Sequence, residues 1–266
     1  MSDIALYSLN AEVSYVKIAE DYIQEMNYVR TSKWSTIKRK KEANDNARGK
    51  VFTKIGREIV VAIKEGGGAD PNTNSKLRDM IAKAKMNNMP NDNINRIIKK
   101  AAGDADNENY ESIVYEGYGQ NGVAIIVEAL TDNRNRTAAD VRHIFDKNGG
   151  SLGATGCVSW MFDTKGLITI EATDDMDEEE VMMEALDAGA EDFSNEDGFF
   201  EITTDVSSLP AVRDALSEKY KLDSAEISRI PQNYISLNDE QMEMLEKLVD
   251  MLDDNDDVQN VYHNAE

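Results

Sequence analysis

The apolar residues of this chain change their spacing near residue 104, and that change limits the fold more than any other feature. Between residues 47 and 103 they recur every three or four positions: Val51, Phe52, Ile55, Ile59, Val60 and Ile63, then Leu77, Ile81 and Ala84, then Ile94, Ile97, Ile98 and Ala101. This is the spacing of helices that bury one side. Gly66, Gly67 and Gly68 end the first helix, Asn72 or Asn74 caps the second, Pro90 opens the third and Gly103 closes it. From residue 110 onward apolar and polar residues alternate, which predicts strands at 113–118, 123–129, 158–162, 167–171, 199–203 and 225–230. Helices are predicted between them at 136–147, 178–188, 209–219 and 239–252.

These patterns predict an α+β protein of three domains. An N-terminal extension, 1–31, precedes a basic α-helical domain, 32–103, and 104–109 is a polar linker. Residues 165–231 run strand, helix, strand, strand, helix, strand, the ferredoxin-like order, and form an inserted α+β domain. Residues 110–164 and 232–266 form the discontinuous α+β domain around it, completed by strands at 234–237 and 258–262.

Charge divides at the same places. The formal net charge is −22, yet residues 32–103 carry 17 basic and 7 acidic side chains, while residues 104–266 carry 10 and 39. The acidic average conceals a segment with the footprint of a phosphate binder. A charge run can also be a solvated helix face. Helical geometry favours the first: Lys50, Lys54, Arg57 and Lys64 fall together opposite the apolar stripe of 47–65, with Glu58 and Glu65 at the flank, so this basic face is expected to stand unneutralised. Upstream, Lys33, Lys38, Arg39, Lys40 and Lys41 surround Trp34, whose ring could stack on a base or anchor the arm to the core. In the acidic part, TDNRNRTAADVR brings Arg134, Arg136 and Arg142 beside Asn133, Asn135 and Thr137, a set suited to phosphate or sugar edges or, alternatively, to capping a helix and pairing with nearby acids.

Other function classes find little support. One cysteine, Cys157, and two histidines, His143 and His263, cannot assemble an internal disulfide or a Cys/His metal site, so no metal or cofactor is expected. Apolar runs are too short for a membrane span, and the acidic first 31 residues lack the charge of a targeting signal, so no membrane partner and a cytoplasmic location are expected. GGSLGATG at 149–156 has three spaced glycines, but a helix precedes them and a strand follows, the reverse of a phosphate-binding loop. The acid runs at 174–180 and 253–257 lack the spacing of a calcium loop; the first opens a helix and the second follows one as a solvated turn. No catalytic residue is expected.

Several motifs together resemble the YebC/PmpR family: SKW-x-x-I-K at 32–38, ARGKVFTK at 47–54 followed by REI, GGADP-x-x-N with KLR, AK-x-x-NMP-x-DNI-x-R-x-IKK, YEGYG, TDN-x-NRT and G-x-LG-x-x-G. Two positions depart from the family pattern: Thr31 stands where His is common, with Met26 an alternative start, and Cys157 stands where Ser is common. The resemblance implies a helical domain followed by two α+β domains, one inserted in the other, in a non-enzymatic bacterial cytoplasmic protein. It further implies a DNA-binding transcriptional regulator or, through the related mitochondrial translational activator, a factor that binds RNA or the ribosome. The expected partner is therefore nucleic acid, either duplex DNA or ribosomal RNA.

Overall fold

The computed structural model describes residues 45–103, 109–173, 175–196 and 198–266. Lys33, Trp34, Lys38, Arg39, Lys40 and Lys41 lie outside the described residues. The helical part begins with α1, Asp45–Glu65, followed by α2, Ser75–Met86, and α3, Asn91–Gly103. Ile55, Ile59, Ala62 and Ile63 of α1 pack with Leu77 and Ala84 of α2 and with Ile94 and Ala101 of α3, giving these short helices the tertiary contact that short helices need in water. The α1 stop follows a glycine C-cap: Gly67 takes φ +90° and the Gly68 amide reaches back to the Ile63 carbonyl at 3.0 Å. Asn74 then joins two helix ends. Its side-chain oxygen accepts from the Leu77 amide at 3.0 Å to cap α2, while its Nδ2 donates to the Ala62 and Gly68 carbonyls at 2.8 and 2.7 Å.

The first sheet contains β1, Glu111–Tyr118, β2, Ala124–Thr131, β3, Ser151–Leu152, and β8, Val258–His263, in the antiparallel order β3-β1-β2-β8. Central β2 is buried on both faces. Val123, Ile125 and Val127 meet α4, Arg134–Lys147, and α7, Asp239–Asp253, through Val141, Phe145, Leu245, Leu248 and Leu252; Ala124 and Ile126 meet Val158 and Phe162 on the other side. The second sheet contains β4, Phe162–Glu171, β5, Asp192–Glu196, β6, Phe199–Thr204, and β7, Leu222–Pro231, in the antiparallel order β5-β6-β4-β7. Helices α5, Glu178–Ala188, and α6, Leu209–Ser217, cover one face through Val181, Ala185, Leu209, Val212 and Leu216. This is the ferredoxin-like strand order, and its segment is inserted between β3 and β8 of the first sheet.

Two expected strands take other forms. Residues 158–162 are not a strand: Ser159–Met161 is a 3-10 turn, after which β4 starts at Phe162. Glu116 of β1 holds this turn: its buried carboxylate accepts the amides of Gly156, Val158 and Ser159 at 2.7, 2.8 and 2.8 Å, taking two donors, Val158 and Ser159, that a strand at 158–162 would have offered to a ladder. Residues 234–237 contribute a single parallel bridge, Ile235 to Ala265.

Gly117 lets β3 approach β1. A Cβ there would lie 2.6 Å from the Ser151 carbonyl oxygen and 2.9 Å from Phe145 Cε1. Gly117→Ala is expected to lower the unfolding free energy by about 2 kcal/mol, the cost of overpacking, as measured by urea titration.

Candidate nucleic-acid interface

The basic side of α1 meets the acid run that joins α7 to β8. Lys50 Nζ pairs with Asp254 Oδ1 at 2.7 Å, Lys54 Nζ donates to the Asp253 carbonyl at 3.0 Å, and Arg57 pairs with Asp257 Oδ1 at 2.8 Å. Arg57 also donates to the Asp256 carbonyl at 2.5 Å and lies over the Tyr110 ring. Cations at a helix C-terminus satisfy its free carbonyls and complement its dipole. The expectation of an unneutralised face is thereby corrected: its acids arrive from about two hundred residues downstream, out of reach of any argument confined to the helix itself. The 253–257 run is correspondingly more than a solvated turn. Lys64, at the end of α1, donates to Asn109 Oδ1 at 3.2 Å.

Asp257 is the centre of this contact, its side chain only 5% exposed. Arg57 reaches Oδ1, while Arg136, Thr137 and Thr131 donate to Oδ2 at 2.7, 2.7 and 3.1 Å. Burial pushes the Asp257 carboxyl up, but the Arg136, Thr137, Arg57 and Thr131 donors outweigh burial and hold it below the ordinary aspartate range. One carboxylate thus ties α1 to the end of β2 and the start of α4. Asn133 caps α4 by accepting the Arg136 amide at 3.1 Å.

The three arginines of 134–142 consequently separate. Arg136 is committed to Asp257 and Asp132, Arg134 pairs with Glu111 at 3.1 Å on the surface, and Arg142 is exposed without an ion pair among the described residues. Further pairs join the helices to one another, α2 to α6, and the two sheets. Lys83 of α2 meets Glu58 of α1 at 2.8 Å, Asp79 of α2 meets Arg213 of α6 at 3.0 Å, and Arg229 of β7 meets Glu128 of β2 at 3.1 Å. Burial lowers the Lys83 pKa, but Glu58 and Glu226 outweigh that effect and raise it.

Five exposed cations of the helical part stand outside the set of binding residues expected from sequence. Arg78 and Lys85 of α2 and Arg96, Lys99 and Lys100 of α3 are all exposed, and none forms an ion pair among the described residues. Their signal was present in the helical spacing of 75–86 and 91–103, but the denser charge upstream overshadowed it. Among the described residues no group of three or more His, Cys, Asp or Glu side chains could hold a metal ion, and no helix is long and apolar enough to cross a membrane. Burial, assisted by Glu116, pushes the Cys157 thiol up, away from the reactive thiolate.

Comparison with known proteins places both halves of this arrangement. A family model described as the TACO1/YebC protein N-terminal domain matches residues 32–104, and one described as the TACO1/YebC second and third domain matches residues 110–265. The chain belongs to the TACO1/YebC family. One TACO1/YebC relative, a "Probable transcriptional regulatory protein" of Thermoanaerobacter pseudethanolicus, is 57% identical over 236 residues, covering 88% of this chain and 96% of its own length. A protein of the same name from Acetivibrio thermocellus is 58% identical over 235 residues, covering 88% and 97%. Among solved structures, a conserved hypothetical protein of Aquifex aeolicus shares this fold with a TM-score of 0.76 at 42% identity, covering 84% of this chain and 91% of its own.

Proposed function

We propose that this TACO1/YebC protein is a non-enzymatic regulator of transcription that binds duplex DNA through its basic helical domain. The observation that carries this reading is the charge division, 17 basic against 7 acidic side chains in 32–103 and 10 against 39 in 104–266. A polyanion is attracted to the first segment and repelled by the rest, which orients the encounter. The names of the relatives above support the regulatory part. Within the interface, Lys33, Trp34, Lys38, Arg39, Lys40 and Lys41 supply contacts ahead of α1, with Lys64 at the end of α1 and Arg134 and Arg142 as a second contact from the acidic body, while Lys50 and Lys54 are held on Asp254 and the Asp253 carbonyl. Arg57 and Arg136 act by holding the helical domain to that body through Asp257, so their contribution to binding is positional.

Crosslinking nucleic acid to the protein in cells and sequencing what is recovered tests the target. Enrichment of promoter-proximal DNA is the expected result; enrichment of ribosomal RNA over DNA overturns the assignment and installs a ribosome-bound translation factor in its place.

A further inference from the structure

We propose that the exposed face of α3, formed by Arg96, Lys99 and Lys100 and extended by Arg78 and Lys85 on α2, is a phosphate-contact surface for duplex DNA. This inference rests on the reading of the chain as a DNA-binding protein and assigns that activity to a face outside the basic side of α1.

At 100° per residue, Arg96, Lys99 and Lys100 lie within an arc of about 100° on α3. The opposite side is fixed inward: Ile94 and Ala101 are buried, Ile97 and Ile98 pack on the same core, and a Cβ on Gly56 of α1 would lie 3.3 Å from Ile97 Cδ1. The cationic face therefore points outward as a consequence of packing. On α2, Arg78 and Lys85 stand two turns apart on one exposed stripe, while Lys83 points to Glu58 and Asp79 to Arg213.

The cations of the helical part thus divide into two classes. Lys50, Arg57, Lys76 and Lys83 each have a carboxylate within 3.0 Å, and Lys54 lies on the Asp253 carbonyl. Arg78, Lys85, Arg96, Lys99 and Lys100 have none among the described residues. Asp92 stands one turn before Arg96, the spacing of a helical ion pair, yet Arg96 donates to the neutral Asn93 Oδ1 at 3.4 Å instead.

Stabilisation of the helices explains only part of this set. Lys85, Lys99 and Lys100 sit towards helix C-termini, where the macrodipole favours cations. Arg78 and Arg96 sit in the N-terminal halves, where it does not. Solubility does not require them either, since the chain already carries a net charge of −22. Exposed Asn87, Asn88, Asn91 and Asn95 at the α2–α3 turn and along α3 add short polar groups suited to phosphate and sugar oxygens. Along α3, Arg96 and Lys100 are separated by about 6 Å of helix rise. Phosphates recur about every 3.4 Å of axis on each strand, so long side chains spread over that length of helix can meet more than one phosphate.

The test is fluorescence anisotropy of the full chain on a labelled 25-base-pair duplex across a salt series, comparing wild type with R96Q/K99Q/K100Q. A second variant, K147Q/K221Q/K247Q, removes the same charge from exposed positions of the acidic body. Circular dichroism confirms folding of both. The first variant is expected to bind at least about 10-fold more weakly at moderate salt, and its slope of log K against log salt should be shallower by up to about 0.9 per lost contact. The second is expected to stay within about 3-fold of wild type. Wild-type binding with the first variant unchanged overturns this inference and leaves the proposed function standing. Equal losses in both variants overturn it too, by showing a net-charge effect. A wild type that does not bind the duplex overturns the proposed function and this surface with it, and tighter binding to a duplex RNA of the same sequence rules out DNA as the occupant.

Discussion

Asp257→Ala is expected to lower the unfolding free energy by about 3 kcal/mol in urea titration. The alanine leaves Arg57 and Arg136 facing each other with no shared anion, and the Thr131 and Thr137 hydroxyls lose their acceptor. Breaking a fully buried pair costs about 3–5 kcal/mol, and the partial exposure of both guanidinium groups places this one at the lower end. Because the same carboxylate joins α1 to β2 and α4, the helical domain should also loosen earlier, and hydrogen exchange at Ile55–Ile63 amides should accelerate relative to β2. The pH dependence has a definite sign. Asp257 is held below its ordinary value of 3.8 in the folded state, so its contribution is fully present above that value. It is lost as pH falls through the lower folded value, and Asp257→Ala should lose that acid-range dependence.

Glu116→Ala is expected to cost about 3 kcal/mol and to release the loop before β4. Three backbone amides lose their acceptor at once, two of them leading directly into the Ser159–Met161 turn. Burial pushes the Glu116 carboxyl up, but the Val158, Gly156 and Ser159 donors outweigh it and hold it below the ordinary 4.5. Its stabilisation therefore also disappears only as pH falls through that depressed value. The loop carries its own reporter: Trp160 is 67% exposed and donates to the Cys157 carbonyl at 3.0 Å, an oxygen that Tyr118 also reaches. In a Trp34→Phe background, Trp160 is the sole tryptophan, and Glu116→Ala should lower its fluorescence anisotropy while the rest of the chain remains folded. Glu116→Gln should fall between, since its amide retains one acceptor oxygen.

The elements that sequence made legible are those governed by near neighbours. Ile55, Ile59 and Ile63 declare α1 by spacing alone, the glycines at 66–68 declare its end, and the alternation after residue 110 separates sheet from helix. The strand-helix order of 165–231 likewise carries the topology of the second sheet, because each connection is short and local. Long-range pairing was not legible. Nothing near Lys50, Lys54 and Arg57 in sequence indicates Asp253–Asp257, and an acid run after a helix is indistinguishable there from a solvated one. Glu116 was hidden for a related reason: it occupies an ordinary strand position between apolar neighbours, and only the fold shows that three amides of 156–159 converge on it. For the proposed interface, sequence shows the basic charge of segment 32–103 but not the division between cations that hold the protein together and cations without an ion pair among the described residues.

Photo-crosslinking the full chain to a duplex bearing photoreactive bases, followed by mass spectrometry of the linked peptides, tests the central claim most directly. Crosslinks concentrated in residues 32–103, with a minor set around Arg134–Arg142 and with those on α3 lost in R96Q/K99Q/K100Q, are the predicted result. Crosslinks concentrated in residues 110–266 would contradict it and move nucleic-acid recognition to the acidic domains.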